Sequence, residues 1–337
     1  MRSIINLLSV AAVLMFAGCT KTSSDSDDDL VGNWVRRSDF EGKARTEAFV
    51  AVTENGRVFT GLGFDGTTRL TDVWEYSSDN DSWINRADFP GTARNSAVGF
   101  SAGDKVYVGL GYDGVNYLND LWEYDPQTDT WAQKADFPAS ARSGAVAFSI
   151  SGKGYVSSGY DGNFLKDFWQ YDPTADMWTK KTSPGGYKRN DAIAFVIDGK
   201  AYLCTGVNNG EYVNDLYVYD PETDAWTEKR KLTNSNVDED YDDDYTTIVR
   251  SNAIAFVING KGYITTGING SFRANTWEYD PTTDLWKEKT VFEGTAREGA
   301  IGFSINNRGY VGLGTSSSFR FDDLREFIPD AEYDEND

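Results

Sequence analysis

Gly109-Leu110-Gly111-Tyr112-Asp113-Gly114, followed by Leu118-Asn119-Asp120-Leu121-Trp122-Glu123-Tyr124-Asp125-Pro126 and then Trp131, is the stretch that decides the fold. Its first six residues, like Gly61-Leu62-Gly63-Phe64-Asp65-Gly66, fit G-x-G-x-x-G, the fingerprint that brings backbone close to a dinucleotide pyrophosphate at a helix start. No helical pattern follows either copy. Asp72-Val73-Trp74-Glu75-Tyr76 and its counterpart are aromatic, β-branched runs, which predict strands. The glycines are therefore assigned to close backbone packing and not to a nucleotide.

The same unit recurs along the chain. Its anchoring tryptophans are Trp34, Trp83, Trp131, Trp178, Trp226 and Trp286, at intervals of 49, 48, 47, 48 and 60 residues by subtraction. A period of about 50 predicts propeller repeats. In the second unit four strands are expected at 96–100, 105–109, 120–124 and 131–134. Asn55-Gly56, Ser151-Gly152, Asp198-Gly199 and Asn259-Gly260 fall between first and second strands, where tight hairpins need positive backbone angles. Asp-Pro-x-x-Asp, as at Asp125 to Asp129 and Asp280 to Asp284, falls between third and fourth strands, where proline costs no ladder bond. Each unit is an antiparallel meander.

An arginine, a hydrophobic strand, Gly-Lys-x-Tyr, glycines, Tyr-Asp-Pro and then tryptophan, in that order, resemble the kelch repeat over residues 34–328. Family members usually carry adjacent glycines, whereas this chain has Gly61-Leu62-Gly63, Gly109-Leu110-Gly111, Ser158-Gly159 and Thr205-Gly206. The resemblance implies a β-propeller, and the strand count tests that independently. Three-strand patterns begin near Arg45, Arg94, Arg142, Arg189, Arg250 and Arg297. The last pattern reaches Leu324 to Phe327, but Asp334 stands where its tryptophan should fall. Trp34-Val35-Arg36-Arg37 is a fourth strand without a blade. The expectation is an all-β, six-bladed kelch-type propeller over residues 32–331, closed by the N-terminal strand, which hides edges that invite aggregation. Residues 332–337 form an acidic tail.

Residues 1–18 read as a signal peptide: Arg2, an apolar run from Ile4 to Phe16, then Ala17-Gly18 before Cys19. The run is too short to span a bilayer. A cysteine after Ala-Gly resembles the bacterial lipoprotein signal, which implies cleavage before Cys19 and lipid attached there. Buried acyl chains at ~0.8 kcal/mol per methylene would anchor the protein. Residues 19–31 are polar and acidic, a composition that predicts a flexible tether. The acidic cluster after the cysteine resembles the surface-export signal of Bacteroidota lipoproteins; a plain solvated linker is the other reading. The expected location is the outer membrane, on its periplasmic or cell-surface face, with membrane contact only through the lipid.

Composition narrows the chemistry. A net charge of -21, from 53 acidic and 32 basic side chains, argues against nucleic acid as a partner. The absence of histidine removes histidine triads, bases and metal ligands. It also excludes the copper chemistry of galactose oxidase, which shares kelch repeats but needs histidine ligands. With Cys19 lipidated, Cys204 has no disulfide partner. No cofactor and no metal are expected.

In such a blade the arginines and the loops following the glycines share one face with the connections between blades. Six guanidinium groups about 10 Å apart would repel by ~0.4 kcal/mol per pair even in water, so they need partners. Either Arg45, Arg94, Arg142, Arg189, Arg250 and Arg297 bond carbonyls or carboxylates of their own or adjacent blades, or they form an anion-attracting mouth. In some kelch adaptor domains arginines on this face bind acidic peptide segments. Positions that differ between blades are more informative. Two residues after each arginine stand Glu47, Ser96, Gly144, Asp191, Asn252 and Gly299; one residue after stand Thr46, Asn95, Ser143, Asn190, Ser251 and Glu298. Glu47, Asp191 and Glu298 either neutralise the arginines or contact a polar ligand. Tyr117, Phe164, Tyr212, Phe272 and Phe319, with Arg69, Arg273 and Arg320, either form a binding hot spot or tuck between blades. The interval of 60 holds an acidic insertion whose carboxylates at 238–244 suit calcium or a solvated flap.

The expected function is a non-catalytic binding module for a protein or glycan at the loop face. The alternative is a sugar epimerase or mutarotase of the bacterial sialic acid epimerase type, with Glu47 or Glu298 in acid–base work.

Overall fold

The computed structural model describes residues 30–233, 245 and 247–334. All regular elements among them are β-strands, arranged as six four-stranded antiparallel sheets with three short hairpins. The first strands of the blades are Phe49–Val52, Val98–Ala102, Val146–Ile150, Ile193–Ile197, Ile254–Ile258 and Ile301–Ile305. Blade two continues through Lys105–Gly109, Leu121–Asp125 and Thr130–Lys134. Blade six takes Arg308–Gly312 and Leu324–Ile328, then closes with Asn33–Arg37 from the other end of the chain. In that closure Trp34 lies opposite Phe327 and Arg37 opposite Leu324.

The core lies in the seams between blades. Trp34 is fully buried and donates from its indole nitrogen to the Thr290 carbonyl at 3.2 Å. Trp83, Trp131, Trp178 and Trp226 do the same to Ser38, Ala87, Ala135 and Thr182, each reaching into the preceding blade. Beside each of three tryptophans stands a phenylalanine edge-on: Phe40 to Trp83, Phe89 to Trp131 and Phe137 to Trp178. An aspartate in the third turn accepts from a tyrosine of its own blade and from a backbone N–H of the preceding one, as Asp129 does from Tyr124 and Ala87.

The glycines of the opening stretch hold the seams from the other face. The Gly111 N–H donates to the Arg142 carbonyl of the next blade at 2.8 Å, and Gly63, Gly159, Gly206, Gly267 and Gly314 repeat this contact around the ring. Gly111 has φ 97°, and a Cβ there would lie 2.8 Å from the Asn95 carbonyl oxygen. Only glycine tolerates both conditions.

The first strand of blade two begins at Val98, two residues later than expected. Ser96 is in the left-handed region at φ 52°, and so are Glu47, Gly144, Asp191, Asn252 and Gly299. The chain turns at these residues towards the axis before it can extend. Along the axis runs a tunnel of about 450 Å³ walled by the first strands of all six blades.

Candidate functional site

The six arginines are buried, none more than 1% exposed. Arg94 shows the arrangement. Nη1 donates to Asp120 Oδ1 at 2.5 Å and Nη2 to Asp120 Oδ2 at 2.8 Å, a bidentate pair. Nη1 also donates to the Leu110 carbonyl and Nε to the Thr92 carbonyl, while the guanidinium lies 4.9 Å from the Phe89 ring centre. Arg45, Arg142 and Arg297 repeat the set with Asp72, Asp167 and Asp323. Arg189 pairs with Asp215. In blade five Asn275 replaces the aspartate, and Arg250 is held by the carbonyls of Thr247, Ile248, Thr266 and Asn275. Burial, then Arg273 nearby, pushes the Arg250 pKa down to about 9.

These arginines are struts inside the blades, not free guanidinium groups around an anion-attracting mouth. Removing one partner of such a buried pair costs about 3–5 kcal/mol, because the other charge is left uncompensated. The aspartates have a sequence signal of their own: each precedes a third strand and lies 25 to 27 residues after its arginine.

What faces the axis is the set of left-handed residues. Backbone N–H groups of Ser96, Asp191, Asn252, Gly299 and Glu47 donate to the carbonyls of Glu47, Gly144, Asp191, Asn252 and Gly299 in the preceding blades, at 2.8–3.1 Å. Below this rim lie Ala48, Ala97, Ala145, Ala192, Ala253 and Ala300, and together they enclose a cup of about 170 Å³. Glu47 accepts from Asn95 Nδ2 and Ser96 Oγ, Asp191 from Asn190 Nδ2 at 2.7 Å, and Glu298 from Asn252 Nδ2 at 3.3 Å. Burial, reinforced by the charges of Glu47 and Glu298, pushes the Asp191 carboxyl up to about 7. Burial also raises Glu298; the Asn252 amide opposes this and Glu47 adds to it. Among the described residues no lysine or arginine lines the cup, so the mouth carries carboxylates where the arginine pattern suggested cations.

Around the rim, residues one further out bridge to the loops: Thr46 to Phe64, Asn95 to Tyr112, Ser143 to Tyr160. Those loop residues in turn face Arg69, Tyr117 and Phe164, whose counterparts in blades four to six are Tyr212, Phe272 and Arg320. Side chains then meet across the seams. Arg320 stacks over Phe64 at 5.6 Å, and Arg69 over Phe64 at 5.2 Å and Tyr112 at 5.0 Å. Tyr117 lies 5.3 Å from Tyr112 and 6.0 Å from Tyr160, which lies 5.1 Å from Phe164. This half-exposed crescent runs from blade six to blade three. Phe64, Tyr112 and Tyr160 belong to it although the sequence reading did not single them out.

The remaining residues are placed as follows. Tyr212 accepts from the Gly270 N–H across the seam of blades four and five, at 3.3 Å. Phe319 is 71% exposed at its hairpin and Phe272 is half-buried. Arg273 donates to the Asn269 carbonyl. Cys19 and the acidic stretch 238–244 lie outside the described residues. Among the described residues, no group of three or more histidine, cysteine, aspartate or glutamate side chains is placed to hold a metal, and no helix is long and apolar enough to cross a membrane.

The family model described as the KLHDC2/KLHL20/DRC7 Kelch-repeats domain matches residues 11–188, and that of the Kelch motif matches residues 189–233. A solved structure titled "Structure of YjhT" is similar with a TM-score of 0.71 at 17% identity, over 86% of this chain and 96% of that one. No curated protein matches the chain in sequence.

Proposed function

The chain belongs to the kelch-repeat family, and on that premise we propose that it is a lipoprotein whose propeller serves as a binding module, holding a protein or glycan against its loop face. The observation that carries this reading is the crescent from Arg320 through Phe64, Arg69, Tyr112, Tyr117 and Tyr160 to Phe164. Aromatic and arginine side chains offer large contact area with few rotors, which is why binding hot spots concentrate them. The crescent stands on strands locked by the arginine pairs and the seam bonds, and a rigid scaffold with variable loops suits recognition. Lipid on Cys19 would tether it to the outer membrane, with contact to the bilayer through that lipid alone.

Glycan arrays and pull-down from surface extracts test the binding. A Tyr117→Ala, Tyr160→Ala double variant should lose binding at least about tenfold with an unchanged melt, the ~1.4 kcal/mol expected of a hot-spot pair. Full binding by that variant refutes the crescent as the site. Palmitate labelling that persists in Cys19→Ser refutes the anchor.

A second reading has one observation in its favour. Asp191 is pushed up to about 7 in a cup that Glu47 also lines, and burial raises Glu298 nearby. Two carboxyls facing one cavity, one of them raised towards neutral pH, are the equipment of a sugar epimerase or mutarotase. Epimer interconversion followed by proton NMR, and lost in Glu298→Gln or Glu47→Gln, would favour that reading over a purely binding role.

A further inference from the structure

We infer that the loops of blades one to three form a row of like subsites for a neutral, hydroxyl-rich polysaccharide lying across the seams from blade six to blade three. The inference rests on the crescent as the binding surface and narrows its ligand from protein or glycan to one class of glycan.

One motif repeats along the row. Asp65-Gly66, Asp113-Gly114 and Asp161-Gly162 open the three loops. Asp65 Oδ1 accepts from the N–H groups of Thr67 and Thr68, Asp113 Oδ1 from those of Val115 and Asn116, and Asp161 Oδ1 from that of Asn163, which ties each loop in a similar turn. The glycines are left-handed, at φ 100°, 103° and 107°. Two of them make room for a cation of the preceding loop: a Cβ at Gly66 would stand 3.3 Å from Arg320 Cζ, and one at Gly114 would stand 2.5 Å from Arg69 Nη1. The same arginines lie over Phe64 and Tyr112, and Tyr117 takes their place against Tyr160.

The propeller does not need this motif. Blades four to six turn the same corner with short hairpins, pairing Val207–Asn208 with Glu211–Tyr212, Ile268–Asn269 with Ser271–Phe272 and Thr315–Ser316 with Phe319–Arg320. A ligand built of one repeating unit can use a row of like subsites, whereas a protein surface offers unlike groups at each step.

Unspent donors set the chemistry. Arg69 Nε is committed to Asn95 Oδ1 and the Tyr112 carbonyl, and the guanidinium lies against two rings, so its direction is fixed. Among the described residues, its Nη1 and Nη2 make no hydrogen bond, and neither do the hydroxyls of Tyr117 and Tyr160. Arg69 shares a depression of about 470 Å³ with Thr92, Asp113 and Val115, between the loops of blades one and two. Fixed donors beside half-exposed rings suit a sugar, whose hydroxyls ring a face of C–H groups.

Local charge sets the sign. Along the row Arg320, Arg69 and Lys43 stand against Asp65, Asp113 and Asp161, with Lys43 Nζ 3.4 Å from Asp65 Oδ2. A polyanion meets a carboxylate at each step and a polycation meets an arginine or lysine. The net charge of -21 further repels a polyanion at long range. A neutral chain meets neither penalty.

Titration calorimetry of the full chain tests this with malto-, cello- and manno-oligosaccharides from monosaccharide to hexamer, and with oligogalacturonates and chitosan oligomers as charged counterparts. At least one neutral series should bind, its hexamer at least about tenfold more tightly than its monosaccharide, because linked units engage successive subsites. That affinity should change less than about twofold between about 0.05 and about 0.5 M salt. Arg69→Lys, which keeps the charge and removes the paired Nη donors, should weaken the hexamer at least about tenfold. Tyr117→Phe, which removes one hydroxyl and leaves the ring, should weaken it at least about threefold with an unchanged melt. No neutral series binding, affinity independent of length, a charged oligomer outbinding the neutral ones, or full binding by both variants overturns the inference. Neutral binding that survives Tyr117→Ala, Tyr160→Ala refutes the crescent itself. A protein partner lost in that double variant, with no neutral series bound, leaves the crescent standing and overturns this inference alone.

Discussion

Replacing Asp191 by asparagine should make the protein more stable at pH 8 and leave it unchanged at pH 4. The carboxyl is raised in the folded protein from an ordinary 3.8 to about 7, by burial first and then by Glu47 and Glu298. The folded state therefore holds a proton that the unfolded chain releases. Stability is fullest below 3.8, falls as pH rises through the interval, and is fully reduced above about 7. Each decade of displacement is worth about 1.4 kcal/mol, which sets a ceiling of about 4 kcal/mol. Water at the open rim screens part of the penalty, leaving about 2 kcal/mol. Asparagine keeps the oxygen that accepts from Asn190 Nδ2 and carries no charge to desolvate. The other charged groups facing Asp191 are Glu47 and Glu298, while Arg189 beside it is paired with Asp215. Both proteins share these, so subtracting their urea-unfolding free energies isolates position 191. A variant no more stable than the parent at pH 8, or equally stabilised at both pH values, refutes the account of the mouth as an uncompensated acidic cup.

Three further outcomes follow from the frame. Asp120→Ala should cost about 3–5 kcal/mol in urea unfolding, since Arg94 would be left buried without its bidentate partner; a loss below about 1 kcal/mol would show the pair to be dispensable. Asp120 is held below its ordinary range by bonds from Arg94 that outweigh the opposing burial, and Asp72 and Asp167 likewise; their stability is present above 3.8 and lost as pH falls through the folded values. Acid unfolding monitored by tryptophan fluorescence should therefore begin below about pH 4, and a protein that keeps its full stability down to pH 2 contradicts the pairs. Trp34→Ala should lower stability by about 3–5 kcal/mol, because the indole fills the seam between blades five and six and closes the ring; an unchanged melt would mean that closure contributes nothing.

The architecture was legible in the sequence because each of its signals is local. Hairpin pairs such as Asn259-Gly260, the Asp-Pro turns and the spacing of the tryptophans each report on a few neighbouring residues, and six-fold repetition makes the pattern unambiguous. Closure by Trp34 to Arg37 was also legible, since it follows from counting strands, and it pairs with Leu324–Ile328 as expected. The ring of variable positions after each arginine, with Glu47 and Asp191 in it, was in view too. The sign of the mouth was not. It depends on whether a guanidinium meets an aspartate 25 to 27 residues away across the blade, and on left-handed turns that aim the residues two further on at the axis. The crescent is likewise a contact between neighbouring blades, in which Arg69 of one loop lies on Tyr112 of the next. Residue types and spacing along the chain fix the blades, but which charges are buried and which are presented depends on groups that become neighbours only when the ring closes.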